Sequence, residues 1–530
     1  MKRSIVLLLL VVMMLGIVGC QSNDVAVTDD SPAVVEEEAT TEASEEEAVT
    51  EETPEEIRRD ALVVALGQEP PTLDVYSASN ESVFLVSETV FESLIKNVDG
   101  EYLPWLATGY DIVDETTIRF DLRDDVMFHD GNMMTADDVL FSMGLAQASN
   151  FTSTIFGALD MEASEAVDEN TVEFKLQYPF APIMEAFASY RGAILSKAAY
   201  EDMGAEAFGR APVGTGPMQF SQWVAGDRVE LEIFEEYWGE QPAFDKLVFR
   251  IILESSSRTI ELETGGVDIV FGLSTTDWDR IEEDPNLQLL KGNSLTMTYL
   301  CFNNENPLYG NELIRKAIAY AVDVDAVAQT AWQGRAEAAD SFMAKSIPGY
   351  KSLGPWEYNP EKSKELLAEA GYEDGLEVEF VTFQKPVYNA AIEIIQSMLG
   401  EVGITATIDM VDVATFTAMN NAGELPMTVM SNSATILDPA SALVAWPLSR
   451  TISLRHNDQN VQDLLDAGVQ TYAMEDRVPI YEELQDYLWE NLYLLPLGYP
   501  ERGYAASASL VNFPFVSTGI PDFAEIGFAE

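Results

Sequence analysis

Cysteine and histidine are almost missing from this chain, with two of each in 530 residues. A disulfide framework is therefore ruled out. Neither histidine, His129 in MFHDG or His456 in LRHND, has a Cys or His neighbour at metal-ligand spacing. Basic residues are scarce too: 29 against 90 acidic ones, a formal net charge of −61. Binding nucleic acid requires a basic surface to neutralise phosphates, and this balance argues against that class. Catalytic signatures are also lacking: there is no Gly-x-Ser-x-Gly elbow, Walker loop or His-Glu-x-x-His. GTGPMQ (Gly214 to Gln219) starts like a dinucleotide loop, but it lacks the third glycine and contains Pro217. It reads as a tight turn before a strand. Carboxylates are so numerous that no two stand out as an acid and base couple. No catalytic residue, metal site or cofactor is expected.

Only one long apolar run is present. Ile5 to Met14 (IVLLLLVVMM) follows Lys2 and Arg3, the layout of a secretory signal peptide, and is short for a stable membrane span. Ile17-Val18-Gly19-Cys20 resembles a bacterial lipobox. By that resemblance residues 1–19 are removed and the Cys20 thiol is acylated. Each buried methylene contributes about 0.8 kcal/mol, so several acyl chains anchor stably. Residues 21 to 57 then hold fourteen Asp or Glu, no Lys or Arg and no aromatic residue. Such a segment buries too little apolar surface to offset its chain entropy, and its like charges repel. Residues 20–56 are expected to form an extended, disordered stalk.

A body of globular composition starts near Ile57, long enough for two or three domains. Setting aside Lys2, Arg3 and the fourteen stalk acids leaves it 27 basic and 76 acidic residues, a net of −49. So acidic a surface fits saline or alkaline surroundings. Cys301, in the apolar run TMTYLCF, reads as a core thiol.

Periodicity points to an α/β protein of more than one lobe. ALVVAL (Ala61 to Leu66) is a buried type of strand, closed by Gly67 and Pro70-Pro71. Ser82 to Lys96 carries Val83, Val86, Val90 and Leu94 at helical spacing. TIRFDLR and TVEFKLQ alternate as half-buried strands. Asn311 to Trp332 sets Leu313, Ile314, Ala317, Ile318 and Ala321 on one helical face. Asn359-Pro360 opens a helix that Gly371 closes. LEVEFVTF, YNAAIEIIQSML and ITATIDMV then form a βαβ unit, which favours a parallel pair. Ligands of such folds lie beyond the carboxyl ends of strands, often between lobes.

Several long blocks carry a family resemblance. LVVALGQEPPTLD (Leu62 to Asp74), the stretch from Tyr102 to Met143, the stretch from Pro212 to Ile252, LIRKAIAYAVDVDAV (Leu313 to Val327) and YNPEKSKELLAEAGY (Tyr358 to Tyr372) resemble, in order, the family 5 extracytoplasmic solute-binding proteins. These are the dipeptide- and oligopeptide-type receptors of ABC importers. The resemblance implies a two-lobed, periplasmic-binding-protein-like α/β fold with an extra subdomain inserted in lobe I. Lobe I would span 57–295, with the insertion at about 82–203, and regain the chain at 495–530. Lobe II would span 296–494. Hinges are expected near Tyr299 to Asn304 and near Leu494 to Gly498. Closure on a solute, docking on a permease with its ATPase subunits, a monomeric state and an extracytoplasmic, lipid-anchored or periplasmic location are further implications.

The same resemblance suggests where solute is held. Peptide-binding relatives often grip a free α-amine with an Asp four residues before the proline of a loop that corresponds here to SNSATILDPASAL. Asp438-Pro439 is present, but the amine-gripping position is Thr435. A hydroxyl accepts one hydrogen bond from an ammonium and cannot neutralise it. Lys385 in FQKPVYN stands where some relatives place an arginine for the ligand carboxylate, though it supplies a point charge and not a fork. Tyr76 and Trp446 follow loops that line the cleft in relatives, and Asp438 is a loop-capping or contact residue. The favoured expectation is a peptide receptor. The alternatives are a family 5 receptor for an oligosaccharide, opine or nickel chelate, and a surface lipoprotein that senses or holds peptides without an importer. Hydrolysis ranks last, for want of a nucleophile and base.

Overall fold

The computed structural model describes residues 59–98, 100–443 and 458–529. The signal peptide, Cys20 and the stalk lie outside the described residues, as do Trp446 and His456.

The apolar run Ala61 to Leu66 falls in strand Arg59–Leu66. This strand pairs parallel to Phe244–Ile251 on one side, with Leu62 opposite Leu247, and parallel to Ile269–Val270 on the other. An enclosed strand has apolar neighbours on both faces, which is why its residues do not alternate. It sits in a ten-stranded sheet whose main path runs Met427–Ser433, Thr296–Phe302, Leu494–Ser507, Ile269–Val270, Arg59–Leu66, Phe244–Ile251, Arg228–Ile233 and Met218–Val224. Leu287–Asn293 and Ala336–Ala338 also pair with Leu494–Ser507.

The two alternating segments of the first lobe are direct neighbours. Thr117–Leu122 runs antiparallel to Thr171–Leu176, with Ile118 opposite Phe174 and Phe120 opposite Val172. Phe120 and Phe174 each lie 5.1 Å, ring to ring, from Phe187. With Ala107–Asp114 and Leu159–Asp168 they build the four-stranded sheet of the inserted subdomain. Ser82 to Lys96 departs from its periodicity. Only Glu81–Ser87 is helical, and Ile95–Val98 is a strand. The backbone beyond Ser87 is engaged elsewhere: Thr89 and Val90 accept the N–H groups of Met218 and Gly216, and the Glu92 carbonyl accepts that of Ile194. Val90 and Leu94 are buried, but not along a helix face.

In the second lobe the expected βαβ unit forms. Leu376–Thr382 and Ile404–Met410 are parallel, with helix Pro386–Glu401 between them. Asn359 caps helix Pro360–Glu369 by accepting the Lys362 N–H at 3.0 Å, and Gly371 follows it with φ +89°. Asn311 to Trp332 is two helices, Glu312–Tyr320 and Val324–Ala331. The break falls at Asp323, whose side chain accepts the Ala326 N–H and starts the second helix.

Strand Thr296–Phe302 divides its faces between two cores. Leu300 and Phe302 join Ile318, Phe380 and Ile395, whereas Met297, Tyr299 and Cys301 join Phe342, Leu484 and Tyr499. Cys301 is wholly buried, and burial pushes its thiol far above its ordinary value. The 14-residue strand Leu494–Ser507 ties the lobes together. Leu494 to Gly498 pair with Thr296–Phe302, and Glu501 to Ser507 pair with Leu287–Asn293.

Candidate functional site

The two lobes meet along a seam formed by the loop between strand Met427–Ser433 and helix Pro439–Leu443, facing helix Ile183–Ala188 of the insertion. Ile436 of that loop is buried in the core of the first lobe. The Ala181 N–H donates to the Val469 carbonyl at 2.7 Å, and the Tyr472 hydroxyl donates to the Glu115 carbonyl at 3.1 Å.

A charged cluster sits in this seam. Asp438 is 1% exposed, and Arg477 takes both its oxygens, Nη1 to Oδ2 at 2.7 Å and Nη2 to Oδ1 at 2.8 Å. Arg477 also donates from Nε to the Gly468 carbonyl at 2.8 Å. Burial works against its cation, and the Asp438 charge outweighs that, holding the guanidinium above its ordinary value. Glu185 faces Asp438 from the first lobe. Asn97 donates to Oε2 at 2.6 Å, and the Tyr102 hydroxyl and Leu437 N–H also bond this carboxyl. Burial, and then the Asp438 charge, push Glu185 up to about 7. Arg477 thus neutralises Asp438, and Glu185 faces that pair across the seam without an ion pair of its own among the described residues. The sequence reading missed Glu185 and Arg477. The available signal was a lone acid within the apolar run PIMEAFA and a lone base within the acidic stretch AMEDRVP.

The residues singled out from sequence are dispersed. Thr435 and Asp438 share the seam loop. Thr435 is exposed, and its Oγ1 lies 3.0 Å from Ser441 Oγ. Asp438 also accepts the Ala440 N–H at 2.8 Å, which caps helix Pro439–Leu443. Tyr76 follows the first strand, is 5% exposed, and donates its hydroxyl to the Ala193 carbonyl at 2.6 Å. Burial, then the Asp74 charge, raise its phenol well above the usual value. Lys385 is exposed at the cap of helix Pro386–Glu401, its Nζ 3.9 Å from the Tyr388 ring centre and without an ion pair among the described residues. Tyr76 and Lys385 both follow carboxyl ends of strands, one in each lobe. Trp446 and Cys20 lie outside the described residues.

His129 is part of a turn. Its Nδ1 accepts the Gly214 N–H at 3.3 Å, and Nε2 lies 2.9 Å from the Gly216 carbonyl, an arrangement the neutral Nε2–H ring satisfies. Burial lowers its pKa to about 4. Among the described residues no group of three His, Cys, Asp or Glu is placed to hold a metal. A separate cavity of about 1050 Å³ lies wholly within the first lobe. In its wall the Glu92 carboxyl receives Trp105 Nε1, the Tyr237 hydroxyl and Trp238 Nε1 at 2.8, 2.9 and 3.1 Å.

Residues 101–453 match the family described as bacterial extracellular solute-binding proteins, family 5 Middle. The chain is 28% identical over 475 residues to the glutathione-binding protein GsiB of Salmonella paratyphi A, covering 85% of this chain and 91% of that one. Its structure resembles the ABC transporter-associated periplasmic binding protein DppA of Helicobacter pylori in complex with the peptide STSA. Identity is 25%, the TM-score 0.74, and coverage 89% and 99%. AgaA of A. tumefaciens R10, in complex with agropinic acid, is 27% identical with a TM-score of 0.71, again over 89% and 99%. These relatives are binding proteins, and the two-lobed architecture is common to them and to this chain.

Proposed function

Because the chain belongs to the bacterial extracellular solute-binding proteins of family 5, we propose that it captures peptides between its two lobes and delivers them to an ABC permease and its ATPase subunits. The observation that carries the peptide reading is the likeness to the glutathione-binding protein over 475 residues, glutathione being a tripeptide. Extended peptides are held largely by main-chain hydrogen bonds, with water-filled pockets that tolerate varied side chains. Solute that contacts both lobes favours the closed state by its differential free energy. The hinge of this motion is the crossing itself, where Leu494–Ser507 exchanges Thr296–Phe302 for Leu287–Asn293 as its partner. The protein acts as a monomer outside the cytoplasm, tethered through acylated Cys20 with residues 20–56 as its stalk. Loss of membrane association in Cys20→Ala tests the tether.

A second reading is a non-peptide solute such as an opine. It is favoured by Thr435, which brings no charge to an ammonium, and by the likeness to the agropinic-acid complex. Thermal melting of the full chain with free peptides, N-acetylated peptides, opines, oligosaccharides and nickel chelates separates the two. A ligand at about 100 times its dissociation constant stabilises by about 2.7 kcal/mol. Stabilisation by free peptides is expected. A response to opine, sugar or chelate with none to peptides rejects the peptide reading.

A further inference from the structure

Four arginines are nearly enclosed by protein: Arg191 at 7% exposure, Arg258 and Arg315 at 4% each, and Arg477 at 2%. Three of them have partners at their terminal nitrogens, although the Nε of Arg258 is buried without one. Arg258 donates to the carbonyls of Ile252, Leu253 and Gly272. Arg315 donates to those of Tyr309, Gly310, Asn491 and Leu492. Arg477 holds Asp438. Arg191 is different. Among the described residues its guanidinium has no hydrogen-bond or ion-pair partner, and its Nε is buried with nothing to bond. Its neighbours are two rings, Phe84 at 4.7 Å and Tyr190 at 5.3 Å. None of the described carboxylates pairs with it.

An enclosed guanidinium without an anion is costly, and stacking on rings recovers only part of that cost. Its position suggests the reason. Arg191 lies in the short turn Tyr190–Gly192, directly after helix Ile183–Ala188, whose Glu185 reaches the second lobe at Leu437. Two residues on, the Ala193 carbonyl holds the Tyr76 hydroxyl of the loop after the first strand. Phe84 belongs to helix Glu81–Ser87, which follows the same loop. The fork thus follows directly on the helix through which the first lobe contacts the second.

We infer that Arg191 is an anion-recognition residue of the solute site and takes a carboxylate of the bound solute. This rests on the reading that solute is held between the lobes, and it narrows the solute to one bearing a carboxylate. A ring-stacked guanidinium keeps its in-plane donors free for a bidentate carboxylate. In an enclosed setting that pairing is stronger than at an exposed lysine such as Lys385.

The test uses the full chain with Arg191→Met and Arg191→Lys, by calorimetric titration and thermal melting. The probes are matched pairs: di- and tripeptides with free or amidated C-termini, opines and their amides, and uronate-bearing or neutral disaccharides. Wild type is expected to prefer the acid of a binding pair by at least about 10-fold. R191M should lose that preference, R191K should keep part of it, and unliganded R191M should melt no lower than wild type. Peptides that bind wild type equally as acid and amide overturn the inference and leave the peptide reading standing. R191M that keeps the preference overturns it too, as does R191M that melts several degrees lower with affinity unchanged. Peptides that fail while another acid binds in an Arg191-dependent manner reject the peptide reading and sustain the inference. If no acid binds, both fall.

Discussion

Asp438 and Arg477 hold each other almost out of contact with water, at 1% and 2% exposure. Removing one partner strands the other charge. Arg477→Met is expected to destabilise by about 3–5 kcal/mol in urea unfolding. The double variant R477M/D438N should recover a large part of the loss. A double variant as unstable as the single one would mean that packing of Arg477, and not its charge, is what matters. Glu185 makes a pH argument across the same seam. Its folded pKa of about 7 lies above the unfolded carboxyl value of about 4.3. The folded protein therefore keeps a proton that the unfolded chain has released, and stability falls as pH rises between those two values. This group alone accounts for on the order of 3 kcal/mol across that window. Glu185→Gln has no proton to lose, so its stability relative to wild type should climb from pH 5 to pH 7 and then level off. Parallel pH profiles for the two proteins would show that Glu185 titrates normally.

Turns and helices use glycine for opposite reasons. The GTG turn packs its backbone on that of Thr89 and Val90. A Cβ at Gly216 would lie 2.3 Å from the Thr89 carbonyl oxygen, and one at Gly214 would lie 2.0 Å from that of Val90. Both contacts are with backbone, which cannot step aside, so Gly216→Ala is expected to destabilise by about 1–3 kcal/mol or more. Gly144 sits inside helix Ala136–Ala148, and a methyl group added there would meet nothing within 4 Å. Gly144→Ala should therefore stabilise by about 0.5–1 kcal/mol. Chemical denaturation of the two variants reads both signs in one experiment. If G216A matched wild type, the turn would have to be looser than this packing implies.

Across the molecule, the net charge of −61 sets a self-repulsion that the ion pairs do not cancel. Many of these pairs, such as Lys362–Glu365 and Lys364–Glu361, are exposed and contribute little individually. The Debye length falls from about 10 Å at 0.1 M salt to about 3 Å at 1 M, so repulsion between surface acids is screened over that range. The urea midpoint is expected to rise with sodium chloride. A flat or falling midpoint would argue against saline surroundings as the reason for the acidity. The seam contributes to this balance, because Glu185 and Asp438 approach only where the lobes meet.

Much of the fold was legible in the residues alone, wherever burial is repetitive. The enclosed strand Ala61 to Leu66, the alternating Thr117–Leu122 and Thr171–Leu176, the helix that Asn359-Pro360 opens and the βαβ unit after it each repeat one pattern over several residues. The long blocks from Tyr102 to Tyr372 carried the family. Only tertiary structure decided where Ser82 to Lys96 stops being helical, because its carbonyls are claimed by Gly216, Met218 and Ile194 more than a hundred residues away. The same holds for the site. Asp438 was visible as a turn residue, but Arg477, 39 positions later, is what takes its charge. Glu185 stands out only as a lone acid in an apolar run, and Arg191 has no local pattern to announce it. Their significance lies in which partners the folded chain brings to them and which it withholds, and pairing at that range is set by packing and not by sequence spacing.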